Sequence, residues 1–213
     1  MIDIIIADDH VMVRRGIRGL LARQKDFNVL AEAGNYKEAV EQIDAHPVDL
    51  LVVDITMPGR DGFDIISHMR LAHPRTRILV LTMHTETEYV SRALKAGAHG
   101  YVTKDMTPEE LTAAVREVAG GSAYLSPKVA QTLALELSQQ VGQTPLHSRL
   151  STREFAIYGM LAHGKTVTDI AHELDLSIKT VSAHKTSLLR KLNLRNQAEL
   201  VRYAIEHPIS APS

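Results

Sequence analysis

The stretch Leu50-Leu51-Val52-Val53-Asp54 is apolar at four consecutive positions and then abruptly acidic. A half-buried strand alternates apolar and polar residues, so a run that is apolar throughout fits a strand covered on both faces by helices. Outward from it, β-branched runs recur at Ile2–Ala7, Val29–Ala33, Ile78–Thr82 and Gly100–Val102. Amphipathic stretches separate them, near Val11–Gln24, Tyr36–Ala45, Gly62–Ala72, Glu86–Ala96 and Pro108–Ala119. Strand–helix units repeated five times in ~120 residues predict an α/β unit built on a doubly wound parallel sheet. In such sheets ligands gather beyond the carboxyl ends of the strands. The acid after Val53 therefore stands where chemistry is expected.

Beyond residue 121 the pattern changes. Ser126-Pro127 offers an N-cap and first helical residue for a helix reaching about Leu137. The polar run 138–145 that follows, with Gly142 and Pro145, reads as a hinge. From Leu150 the periodicity is helical throughout. Ser151-Thr152-Arg153-Glu154 is a capping box opening a helix to about His163, closed by Gly164. Further helices are expected at Val167–Leu174, Ile178–Leu192 and Asn196–Glu206. The expected organisation is thus residues 1–121, a linker with one helix over 122–148, and an all-α unit of four helices over 149–213. The last is too small to enclose much of a catalytic cavity.

Charge follows the same division. The 213 residues carry a net charge of −1. Residues 1–121 hold 14 Lys and Arg against 18 Asp and Glu, whereas residues 149–213 hold 9 against 6. An acidic first unit joined to a basic second one points to a polyanionic partner for the second alone. With no cysteine, disulfides, thiolate zinc sites and Cys nucleophiles are excluded. No apolar run nears the ~20 residues of a membrane helix, and Ile2–Asp9 is too short and acidic for a secretory signal. The cytoplasm is the expected compartment, with no membrane partner.

Asp8 and Asp9 follow the first strand, Asp54 the third, Thr82 closes the fourth and Lys104 follows the fifth. A parallel sheet brings these positions to one edge. Carboxylates crowded together repel, and a hard divalent ion such as Mg²⁺ with oxygen ligands offsets that. The ammonium and hydroxyl are suited to phosphoryl oxygens. The set fits phosphoryl transfer onto a carboxylate, which depends on positioning and charge neutralisation.

Three segments carry a family resemblance: Ala7-Asp8-Asp9-His10, Asp54-Ile55-Thr56-Met57-Pro58-Gly59-Arg60-Asp61-Gly62, and Lys95-Ala96-Gly97-Ala98-His99-Gly100-Tyr101-Val102-Thr103-Lys104-Asp105. They resemble a response-regulator receiver domain, and with the four-helix unit the chain resembles a two-component regulator of the NarL/FixJ (LuxR-type) family. The resemblance implies a flavodoxin-like, five-stranded receiver and a helix-turn-helix unit. It implies Asp54 as phosphoryl acceptor from a sensor histidine kinase, and Mg²⁺ held by Asp8, Asp9, Asp54 and the Thr56 backbone carbonyl. Lys104 and Thr82 would contact the phosphoryl group, and Tyr101 would swing inward as Thr82 moves. Thr56 and His84 would flank the site and tune how fast the acyl phosphate hydrolyses.

On a helical wheel Ile178, Val181, Lys185, Leu188, Leu189 and Leu192 share one side of the third helix of the second unit, with His184 at its margin. Lys179, Ser182, Ala183, Thr186 and Arg190 lie opposite. Small side chains let a helix approach base edges while cations reach phosphates. With the preceding helix and the Asp175-Leu176-Ser177 turn, this forms a helix-turn-helix. Lys179, Thr180, Ser182, Ala183, Lys185, Thr186 and Arg190 are the candidate DNA contacts. Ser182 departs from the Lys that many family members carry. In the family the last helix also pairs two copies on DNA, which makes Leu200, Val201 and Ala204 candidates for dimerisation.

The competing enzyme reading is a haloacid-dehalogenase-type, Mg²⁺-dependent phosphohydrolase. It needs a second acid two residues after the nucleophile, where this chain has Thr56. A third reading keeps the fold but makes DNA binding constitutive. Eleven histidines, with no His-x-x-x-His pair on a helix, read as surface or core residues rather than a metal centre.

Overall fold

A computed structural model describes residues 1–57, 62–139 and 146–207. Residues 58–61 of the Asp54 motif and residues 140–145 of the expected hinge lie outside the described residues. The chain divides into two compact units, with the division between Ala134 and Leu135.

In the first unit, strands β1 (Ile2–Ala7), β2 (Phe27–Ala33), β3 (Leu50–Val53), β4 (Arg77–Thr82) and β5 (Gly100–Thr103) alternate with helices α1 (Val11–Leu21), α2 (Tyr36–Ala45), α3 (Gly62–Ala72), α4 (Thr87–Ala96) and α5 (Pro108–Ala119). A short sixth strand, β6 (Tyr124–Leu125), follows α5. All strand pairs are parallel, in the order β2-β1-β3-β4-β5-β6. The order doubles back at β1 and β3, the flavodoxin-like switch point. Ile4, Ile6, Leu50, Val52, Leu79, Leu81 and Val102 pack with Ile17 and Leu21 of α1 and with Leu111, Val115 and Val118 of α5. By the two-residue alternation of strands, Ile5, Leu51, Val53, Val80 and Tyr101 turn to the opposite face, that of α2, α3 and α4. All four residues of β3 are buried, as the uninterrupted apolar run requires.

The sheet has six strands where five were expected. The added β6 pairs with β5 at Gly100 and Tyr101. A two-residue strand carries no periodicity, so nothing in the sequence marks it, and the first unit runs past the expected boundary at residue 121. Gly100 makes the junction possible. A Cβ there would lie 2.7 Å from Val118 Cγ2, 2.8 Å from Leu79 Cδ1 and 3.2 Å from the Tyr124 carbonyl oxygen. Gly100→Ala should therefore destabilise the first unit by about 1–3 kcal/mol, since overpacking here meets both backbone and core. Chemical denaturation followed by circular dichroism measures it.

Helix α6 (Pro127–Gln139) starts at the expected Pro127. The second unit then holds a 3₁₀ turn (Leu146–Arg149) and helices α7 (Thr152–Ala162), α8 (Val167–Glu173), α9 (Ile178–Lys191) and α10 (Gln197–Glu206). Each of the four begins on a side-chain cap: Ser151, Thr166, Ser177 and Asn196 accept from the N–H three residues on. The first three end alike. Gly164, Asp175 and Asn193 take left-handed backbone, and the next N–H reaches back to Met160, Ala171 and Leu189 respectively. Short polar residues tolerate that conformation, which is why Asp175 can turn the chain between α8 and α9. Buried side chains here include Phe155, Tyr158, Leu161, Ile170, Val181, Leu188, Leu192 and Leu200. Among the described residues no helix is long and apolar enough to cross a membrane.

Candidate functional site

At the carboxyl edge of the first sheet, Asp8 and Asp54 leave β1 and β3 side by side, the Asp54 N–H donating to the Ala7 carbonyl at 2.8 Å. Their side chains are buried, at 1% and 2% exposure. Asp9 is half-buried. The Lys104 ammonium, carried in from β5, lies 2.5 Å from Asp54 Oδ2 and 2.8 Å from Asp8 Oδ2. Its own backbone N–H donates to the Thr82 carbonyl at 2.8 Å. Burial works against the ammonium, yet the charge of Asp54 and the hydrogen bonds to Asp54 and Asp8 outweigh it and hold Lys104 above the usual lysine range. Asp9 is pushed up, first by burial and then by the charges of Asp54 and Asp8, with His10 opposing. Ligand atoms of Asp8, Asp9, His10 and Asp54 all lie within 4.8 Å of one another. Three clustered carboxylates, two of them on the Lys104 ammonium, leave negative charge in excess, and their oxygens are hard donors. The set fits Mg²⁺.

The other expected members are arranged around this centre. The Thr56 N–H and hydroxyl both donate to Asp54 Oδ1, at 3.0 and 3.1 Å. Thr82 is fully buried at the end of β4, and its Oγ1 accepts from the His84 N–H at 3.4 Å. Tyr101 is also fully buried, and its hydroxyl donates to the His84 carbonyl at 3.0 Å. The Tyr101 ring thus lies inside the fold. Burial, more than any neighbouring charge, raises the Tyr101 hydroxyl well above its ordinary range, so it stays a donor. His84 is itself buried and stacks on Tyr89 with ring centroids 4.1 Å apart.

In the second unit α9 presents Lys179, Ser182, Ala183, Thr186 and Arg190 to solvent. Val181, Leu188 and Leu192 point inward, and α7 and α8 pack against the helix. A short helix, a tight turn and a helix with one basic, small-residue face form the helix-turn-helix expected.

Residues 4–116 match the model of the response regulator receiver domain, and residues 148–204 match that of bacterial regulatory proteins of the luxR family. The chain is a response regulator. It is 39% identical over 209 residues to oxygen regulatory protein NreC of Staphylococcus carnosus, covering 95% of this chain and 96% of that protein. It is 35% identical over 208 residues to response regulator UvrY of Escherichia coli K12, covering 97% and 95%. Among solved structures, RcsB of Salmonella enterica serovar Typhimurium, bound to promoter rprA in the presence of phosphomimetic BeF₃⁻, is similar at TM-score 0.67 and 30% identity. That match covers 95% of this chain and 97% of RcsB. The protein is a NarL/FixJ-type regulator with a receiver and a LuxR-type DNA-binding unit.

Several expected residues of this response regulator take other positions. Ile178, the first residue of α9, is 55% exposed and does not join the buried stripe of that helix. Lys185 is half-buried, and its ammonium donates to Gln197 Oε1 at 2.6 Å, joining α9 to α10 rather than standing free. Leu200 is fully buried, which removes it from the candidate pairing surface; Val201 and Ala204 remain half-buried and Ile205 is 74% exposed.

Other contacts have no clear signal in the sequence. Arg14 donates to the Asp8 carbonyl, and His10 lies 2.8 Å from Asp9 Oδ1. Glu154, expected only as a capping residue, also accepts from Ser187 Oγ and Lys191 Nζ of α9, both at 2.6 Å. The spacing of Ser187 and Lys191, four apart on one helix face, is the available clue.

Proposed function

We propose that Asp54 accepts a phosphoryl group from a partner sensor histidine kinase, and that the charge added there governs how α9 engages double-stranded DNA. The observation that carries this reading is the buried Asp54 carboxylate, held between the Lys104 ammonium and the Thr56 hydroxyl beside two further acids. Asp8, Asp9, Asp54 and the Thr56 carbonyl are the residues for Mg²⁺, which when bound neutralises the acids and the incoming phosphoryl oxygens. Asp54 supplies the attacking oxygen, and the phosphorus–nitrogen bond of the kinase phosphohistidine breaks as the new oxygen–phosphorus bond forms. Lys104 then has a phosphoryl oxygen to pair with in place of a carboxylate. Thr82 has a reason to release its hydroxyl from the His84 N–H and offer it to the phosphoryl group. Since Tyr101 bonds the carbonyl of that same residue, a move at Thr82 is felt at Tyr101 through the backbone of one residue.

The effect at DNA follows from charge and exposure. Lys179 and Arg190 reach phosphates, while Thr180, Ser182, Ala183 and Thr186 approach base edges. Two copies pair through the surface that includes Val201 and Ala204, setting recognition helices about one DNA turn apart, roughly 34 Å. The stretch between β6 and the 3₁₀ turn, shorter than the expected 122–148, acts as the linker, and the regulator works in the cytoplasm. The phosphohydrolase reading still wants an acid at residue 56 and meets a threonine there.

Gel shifts on fragments selected from a random double-stranded pool test the proposal. Acetyl phosphate with Mg²⁺ should tighten binding, and equal affinity with and without the phosphodonor would favour constitutive binding. Lys179→Ala and Arg190→Ala should each lower the slope of log affinity against log salt by about 1, as lost phosphate contacts release fewer counterions.

A further inference from the structure

The eleven histidines show no metal-binding spacing along the chain, but the fold brings two of them onto one carboxylate. Asp44 lies in the last turn of α2, His68 lies on α3, and His73 directly follows that helix. His73 Nε2 is 2.8 Å from Asp44 Oδ1, and His68 Nε2 is 3.8 Å from the same oxygen. The three ligand atoms lie within 4.8 Å of one another. The hydrogen bond to Asp44 accounts for His73. It leaves His68 unexplained: its Nε2 atom is shielded from solvent and makes no hydrogen bond, although it is aimed at the same acid.

The place in the fold matters. Both residues that face His68 lie at helix ends that lead into the starts of β3 and β4. This is the amino edge of the parallel sheet, opposite the edge that carries Asp8, Asp9 and Asp54. The segment bearing His73 is held: its N–H donates to the Met69 carbonyl, its carbonyl accepts from the Thr76 N–H, and the Thr76 hydroxyl donates to the Val48 carbonyl. Pro74 stops the helix at that point. The side chains are 54%, 32% and 29% exposed for Asp44, His68 and His73, open enough for an ion to enter from water.

We propose that Asp44, His68 and His73 bind a divalent transition-metal ion, fastening the end of α2 to the end of α3. Two imidazole nitrogens with one carboxylate oxygen suit Zn²⁺ and its neighbours rather than Mg²⁺, which prefers oxygen alone. Zinc-to-ligand bonds of about 2.0–2.2 Å in tetrahedral geometry set donors roughly 3.3 Å apart. The observed 2.8 and 3.8 Å fall on either side of that. Small rotations of the imidazoles suffice, with a water completing the shell.

The test uses the full chain without a polyhistidine tag, in excess Mg²⁺ so that the acidic pocket is occupied. Zn²⁺ titration by calorimetry should show a site whose affinity falls about tenfold or more in His68→Gln and in His73→Gln. It should be retained in His10→Gln, the histidine beside the acidic pocket. Co²⁺ in place of Zn²⁺ should give visible absorption bands of a four-coordinate nitrogen–oxygen site in the wild type and in His10→Gln, and lose them in the other two. Asp44→Asn alters only an exposed side chain and should weaken binding as well, which keeps the test independent of any folding defect in the histidine variants. Absence of Zn²⁺ binding to the wild type would overturn the proposal. So would affinity and spectrum that persist in His68→Gln and His73→Gln and vanish in His10→Gln.

Discussion

Asp54→Asn should abolish acid-labile phosphate incorporation from acetyl phosphate and Mg²⁺, leaving a chain that is folded and still binds DNA at its unphosphorylated level. The amide keeps the size of the carboxylate but lacks its nucleophilic charge, so the bond to phosphorus does not form. Loss of fold is not expected as a side effect. Asp54 is one of three clustered acids and shares the Lys104 ammonium with Asp8, and its charge is one of those that push Asp9 up. Removing it relieves repulsion, so thermal stability at neutral pH should be unchanged or raised. A phosphate-affinity gel and a melting curve on the same sample read both quantities. Labelling of Asp54→Asn to the wild-type level would show that the acceptor lies elsewhere, whatever the geometry of the pocket.

The second large effect concerns Glu154, whose carboxylate is buried at 4% exposure and accepts from the Ser151 N–H at 2.7 Å besides Ser187 and Lys191. Burial alone would raise its pKa. The hydrogen bonds from Lys191, Ser187 and Ser151 outweigh burial and lower it from 4.5 to about 2. A carboxyl depressed by folding contributes stability that is fully present above its unfolded value and lost as pH falls through its folded value. The window here runs from about pH 4.5 down to about pH 2. The shift corresponds to about 3 kcal/mol, reduced to about 2–3 kcal/mol because Lys191 is partly open to water. Glu154→Gln should therefore lower the stability of the second unit by that amount at pH 7, and the difference from wild type should narrow as pH approaches 2. Amide hydrogen exchange resolved to α7 and α9 checks the first statement, with the strands of the first unit as internal control. Thermal melts across pH check the second. A variant as stable as wild type at pH 7 would mean that the Lys191 and Ser187 bonds contribute nothing net.

Much of the fold and of the acidic pocket is legible in the amino-acid sequence alone. Leu50–Val53 marks a buried strand and Ser151-x-x-Glu154 marks a helix start, because each depends on residues close in sequence; the acids mark a pocket because a parallel sheet brings its strand ends to one edge. The features with no such mark depend on pairs far apart. The bond from Glu154 to Lys191 spans 37 residues, and the meeting of Asp44 with His73 spans 29. Neither leaves a periodic trace. Tyr124-Leu125 is hidden for the opposite reason, being too short to show a period at all. The helical wheel sets Lys185 on the apolar side while its charge suggests DNA. Its bond to Gln197 answers both, since a lysine at that margin can bury its stem and spend its ammonium inside the protein.

The anchoring of α9 lies on one side and its exposed residues on the other. Val181, Leu188 and Leu192 are buried while Ser187 and Lys191 tie back to Glu154. Among the described residues, Lys179, Ser182, Ala183, Thr186 and Arg190 make no side-chain hydrogen bond or ion pair beyond their own helix. On the proposed reading of DNA by α9, mutations that rewrite the preferred operator can accumulate at almost no thermodynamic penalty to the scaffold. A lineage carrying this helix is free to drift from one set of target genes to another without passing through an unfolded ancestor.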